Sequence, residues 1–202
     1  MGFQWVVDNA ESISINTKKI VASTQARDGT VRSVSRGGQV WTFNVSLPQG
    51  PRWSDIRDDI AKIQALDRVT TDTFSINNPG QSWLIQYQGD AANPAAFIAT
   101  VPSSGNTITL TSGTAASGYN FRAGDVIQLG SAGHCYTVSA VAWNNTVVTL
   151  NRPIIDPAGS VTLAVAEDCV WTVICTQFPQ WTIFARDQVS WDGPFVFVED
   201  LT

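Results

Sequence analysis

Apolar and polar positions alternate through most of this chain, and a period of two predicts strands. Residues 39–47 read Gln-Val-Trp-Thr-Phe-Asn-Val-Ser-Leu, which puts Trp41, Phe43, Val45 and Leu47 on one face. Residues 30–35 alternate in the same way, and Arg36-Gly37-Gly38 between the two runs reads as the turn of a hairpin. Phe74 to Ile76 and the run Trp83, Ile85, Tyr87 predict a second pair of strands around Asn77-Asn78-Pro79-Gly80. One segment departs from this period. Ile56, Ile60, Ile63 and Leu66 recur at helical spacing, predicting one helix over about 54–67 with Ser54 or Asp55 as its cap. Asp55 and Asp58 fall in its first turn, where the helix dipole favours negative charge.

From about Gly89 the texture changes. A short Ala/Asn/Pro stretch precedes a Ser/Thr/Gly-rich region, and then short alternating runs at 107–111, 125–129, 135–141 and 146–150. Asn144-Asn145 and Pro157-Ala158-Gly159 supply turns. This spacing predicts a small antiparallel barrel of five or six strands inserted at 91–167. Trp-rich alternation returns after Asp168 and continues to the Phe195–Val198 run. The expected architecture is mainly β: a host domain from 1–90 and 168–202, carrying the helix, with the barrel between.

Composition sharpens the question of function. Charged residues make up 14% of the 202 residues, against roughly 25% in typical domains. Eight Trp and 44% hydrophobic residues exclude a disordered chain. A net charge of −5 excludes a basic nucleic-acid footprint. No run approaches the ~20 apolar residues of a membrane span, and the N-terminus has no basic leader. Reduced, partly buried thiols are therefore expected for Cys135, Cys169 and Cys175, in a protein that resides or assembles in a cytoplasm.

Candidate chemistry is sparse. His134 is the only histidine, and its neighbour Cys135 would point elsewhere along a strand, so the pair does not suit nucleophilic catalysis. One His and three scattered Cys do not make a zinc set. The carboxylate pairs Asp58-Asp59, Glu167-Asp168 and Glu199-Asp200 invite comparison with glycoside hydrolases, but adjacent acids point apart rather than across a cleft. Phosphate-binding loops, a Gly-x-Ser-x-Gly elbow and cofactor fingerprints are absent from the sequence. No catalytic residue, cofactor or metal ligand is expected, and a structural or binding protein fits better than an enzyme. A carbohydrate-binding β-module with exposed Trp platforms is the alternative reading.

Two stretches carry a resemblance. Residues 31–66 combine Arg-Ser-Val-Ser-Arg-Gly-Gly-Gln-Val-Trp, Phe-Asn-Val-Ser-Leu-Pro and the Ile-striped helix after Arg52-Trp53-Ser54. Residues 121–130 read Phe-Arg-Ala-Gly-Asp-Val-Ile-Gln-Leu-Gly. They are followed by Tyr-Thr-Val-Ser-Ala-Val, Thr-Leu-Asn-Arg-Pro-Ile and the closing Val-Ser-Trp-Asp-Gly-Pro-Phe-Val-Phe-Val-Glu. Together they resemble tail-tube-like virion proteins of tailed bacteriophages, of the kind forming baseplate-proximal rings or distal tail rings. The resemblance implies a host domain of antiparallel sheets, a β-sandwich or barrel with one flanking helix. It also implies a hexameric ring in the virion, assembled in the host cytoplasm, that joins tail tube to baseplate hub. Its partners would be further copies and tube, hub, sheath or wedge proteins, with DNA passing through the channel unbound and no membrane involved. The interface is then expected at Arg32, Val34, Arg36, Trp41, Phe43, Trp53, Phe195 and Phe197, and burial between copies would explain the low charge.

Overall fold

A computed structural model describes residues 2–17, 19–66, 68–184 and 186–201 apart from 26–30, with the backbone alone over 19–25 and 31–38. The chain begins with a helix, α1 (Gly2–Asp8), then β1 (Ser12–Asn16), β2 (Lys19–Gln25), β3 (Val31–Gln39) and β4 (Thr42–Ser46). Helix α2 (Trp53–Ala65) and β5 (Asp72–Ser75) follow. Six strands come next: β6 (Ile98–Val101), β7 (Thr107–Ser112), β8 (Val126–Leu129), β9 (Cys135–Val141), β10 (Val147–Leu150) and β11 (Gly159–Val165). The chain closes with β12 (Val170–Gln177), β13 (Gln180–Phe184), β14 (Gln188–Asp192) and β15 (Phe195–Glu199).

The protein is mainly β, and all the strand pairings are antiparallel. Strands β6 to β11 close into a barrel in the order β10-β7-β6-β11-β8-β9. The predicted short strands are therefore present, and closure removes their edges. The other main sheet runs β1-β4-β15-β12-β5, so its strands come from both sides of the barrel segment.

The sheet's inner face is set by alternation. Phe43 and Val45 on β4, Trp171, Val173 and Cys175 on β12, and Phe195 and Phe197 on β15 are all buried. Phe43 meets Trp171 and Phe74 edge-on at 5.4 and 5.0 Å, and Phe3 of α1 lies 4.9 Å from Phe197. Both helices, together with Val189 and Trp191 of β14, contribute to this same core. A separate core fills the barrel around Phe97, Phe121, Tyr136 and Leu163. The three cysteines are buried and form no disulfide. Among the described residues, no helix is long and apolar enough to cross a membrane.

Three features differ from the sequence expectations. Arg36-Gly37-Gly38 is no turn, because β3 runs straight through it and pairs with β2. Between the pairs Lys19↔Gln39 and Val21↔Ser35, β3 uses two more residues than β2. The glycines thus sit in a bulge, which exploits the same conformational freedom as a turn without reversing the chain. Second, the Trp83 run makes no strand: Asn78 accepts hydrogen bonds from the amides of Gln81 and Ser82 and winds residues 82–84 into a 3-10 turn. Third, the described residues form two α-helices rather than one. α1 is short, and its start is fixed from far along the chain, by the Asp72 carboxylate accepting from the Gly2 and Phe3 amides at 2.9 and 3.1 Å.

Candidate assembly interface and the clamp beneath it

β1 pairs with β4 in a register that continues into β2 and β3: Asn16 faces Thr42, and Lys19 faces Gln39. The two pairs form one long ribbon. Its inner half belongs to the five-stranded sheet. Its outer half, β2–β3, has no third strand among the described residues. An arm of this kind carries backbone donors and acceptors along both outer edges, a template on which a strand of another chain can pair. Arg32, Val34 and Arg36 lie on this arm, and their side chains fall outside the described residues.

At the base of the arm sits a buried charge pair. Arg152, just after β10, bonds both carboxylate oxygens of Glu199 at 2.6 and 2.7 Å. It also donates to the carbonyls of Gln39 and of Cys135. Both side chains are 3% exposed. The Trp41 amide donates to Glu199 at 3.2 Å, and its indole Nε1 donates to the Cys135 carbonyl at 3.0 Å. One guanidinium therefore ties the barrel, the final strand and the last residue of β3 together, which is the bidentate geometry that favours Arg over Lys. Gln128 adds a second tie, trading hydrogen bonds with both backbone groups of Val170 at 3.0 Å.

The guanidinium lies 4.9 Å over the Tyr136 ring. The Tyr136 hydroxyl donates to Asp156 at 2.6 Å, and His134 Nδ1 is 3.0 Å from the other Asp156 oxygen. The hydrogen bond to Asp156 raises the pKa of His134 above its usual 6.5. Burial pushes the Asp156 carboxyl up, but the hydrogen bonds from His134 and Tyr136 outweigh it and hold the carboxyl below its ordinary value. Cys135 turns its thiol toward the Val170 carbonyl instead, and burial raises its pKa strongly. His134 and Cys135 thus have separate partners.

A second surface surrounds α2. The β13–β14 hairpin folds against its N-terminus, where Trp53 stacks on Trp181 at 4.5 Å and 21°. The helix takes its cap from this hairpin and not from Ser54 or Asp55: the Asp187 carbonyl accepts from the Trp53 amide at 2.8 Å, and its carboxylate from the Ser54 amide at 3.1 Å. Hydrogen bonding from Ser54, its side chain first and then its amide, lowers the Asp187 pKa. β13 pairs only with β14 among the described residues, and it exposes Ile183 (44%) and Phe184 (58%).

The five expected interface residues whose side chains are described thus separate into two groups. Trp41, Phe43, Phe195 and Phe197 lie in the subunit's own core, between 0 and 4% exposed, because alternation on β4 and β15 points them at the helices. Trp53 remains at the surface, half-buried on Trp181. What the sequence pattern missed was the exposure of Ile183 and Phe184, adjacent apolar residues on β13. Of the carboxylate pairs, Glu199 is buried on Arg152, and Asp58 and Asp59 lie on α2 beside Arg57 and Lys62, whereas Glu167 and Asp168 line one cleft side by side rather than facing each other across it. Among the described residues, no three His, Cys, Asp or Glu side chains are placed to hold a metal ion. No family model and no curated protein matches the chain.

Proposed function

We propose that this protein is a structural subunit of a phage tail, assembling into a ring of its own copies, six in the tail-tube-like proteins it resembles, between tail tube and baseplate hub. The observation that carries the reading is the β2–β3 arm, a two-stranded continuation of the β1–β4 ribbon beyond its sheet. Pairing that arm with a neighbouring copy satisfies its open edges, and heterologous contacts of this kind close into rings.

Charge supports the same contact. Residues 18–38 hold five of the twelve basic residues and one acid, a net +4, leaving −9 on the rest of the chain from seven bases and sixteen acids. The arm is thus complementary to the body of another copy. The β13 edge, with exposed Ile183 and Phe184, is the surface it suits. An acidic body also suits a channel that lets DNA pass without holding it.

Light scattering on purified protein, with negative-stain imaging of the protein and of virions, tests the reading. Rings are expected from the whole chain or on a tail template. Replacing residues 20–38 with a short turn should abolish them while leaving the thermal transition in place. Absence of rings and of virion incorporation overturns the proposal.

A further inference from the structure

Two of the tryptophans, Trp83 and Trp143, are strongly exposed, at 66% and 63%. Trp83 differs from Trp143 in its surroundings. It lines a cleft of about 260 Å³ between the 82–87 segment and the end of β11 with the turn after it, together with Tyr87, Pro94, Gln86, Glu167 and Asp168.

Each wall of the cleft is held rigid by bonds that leave its recognition groups free. Trp83 donates its indole Nε1 to the Gly80 carbonyl at 3.1 Å, so its edge is occupied and its faces remain open. Tyr87 is fixed through its hydroxyl, which donates to the Asn120 carbonyl and accepts from the Ala91 amide. It also packs edge-on against Phe97 and Phe121. Only its ring is left for a ligand. Glu167 and Asp168 ride on a 3-10 turn closed by the Cys169 amide on the Ala166 carbonyl, with Ala166 held at φ 57°. Among the described residues neither carboxylate forms an ion pair or hydrogen bond, and both are exposed.

The cleft therefore offers flat aromatic faces at one side and acceptor groups at the other. A sugar ring presents the matching pair of features, a C–H face and a hydroxyl edge. The volume lies just below the ~300 Å³ where pockets for drug-sized ligands begin, which suits one ring of a longer glycan. Preformed walls lose little freedom on binding. We propose that this cleft is a saccharide-binding site, with Trp83 as its stacking platform and Glu167, Asp168 and Gln86 as hydroxyl partners. The site is independent of ring assembly.

A glycan array of bacterial surface oligosaccharides, followed by calorimetric titration with the strongest hit, tests it. Trp83→Ala should weaken binding at least tenfold, and the double variant Glu167→Gln with Asp168→Asn severalfold. Trp143→Ala, on the β9–β10 turn, should bind as the unaltered protein does. Trp83 is exposed, so the variant is expected to keep its thermal transition. Should it not, the carboxylate variant decides. Three results would overturn the proposal: an array with no hit, a hit indifferent to both cleft variants, or binding confined to oligolysine and lost at high salt, which would mark a cation site.

Discussion

Arg152 and Glu199 meet out of water, where a charge left alone is far more costly than a pair. Glu199→Ala should therefore destabilise the chain by about 3–5 kcal/mol in denaturant unfolding, since it strands the guanidinium. Phe43→Ala separates core from interface: as a buried ring it should cost about 3–5 kcal/mol in the isolated subunit, whereas an interface residue would leave the isolated subunit unaffected. His134 is the only histidine, so its titration is unambiguous by NMR. Its folded pKa lies above 6.5, so its stabilising effect is complete below 6.5 and fades as pH rises through the folded value. Asp156 has the opposite sign, stabilising above 3.8 and losing that contribution as pH falls through its lowered value. The pair contributes most between 3.8 and 6.5. Thermal melts of His134→Gln against the unaltered chain should show the gap between them shrinking above that window.

The two helices share a device that local patterns do not reveal, a cap supplied by an aspartate distant in sequence. Asp72→Ala should cost about 1 kcal/mol, and proton exchange should show α1 fraying first. The Ile56, Ile60, Ile63 stripe made α2 legible to within a residue or two, because a helix's periodicity lies in its own residues. Its cap was misread, because Asp187 lies on another hairpin. The barrel strands were legible for the same reason as α2, each being a short alternating run between turn residues. The arm was misread because a glycine pair marks bulges and turns alike, and only the partner strand distinguishes them. In the candidate interface, the aromatic residues of β4 and β15 were expected at the contact from the resemblance, and they lie in the subunit's core. The exposure of the pair on β13 depends on what packs against that strand, which no single segment encodes.

At the scale of the molecule, Arg152, Gln128 and Trp41 tie the barrel to the sheet, so the two are expected to move as one body. If the +4 arm meets the −9 body of a neighbour, assembly should weaken as salt rises, and sedimentation across an ionic-strength series would reveal it. The sheet order also has a consequence in time. β15 sits between β4 and β12, yet it leaves the ribosome after every other described strand of its sheet. The barrel, built from a continuous stretch, can close beforehand. Until residues 195–199 emerge, β4 waits with its inner edge unpaired, in a chain with few charges to discourage sticking. Synthesis arrested just short of β15 should therefore yield chains with a folded barrel that aggregate through the sheet, and soluble subunits should appear only once β15 can insert.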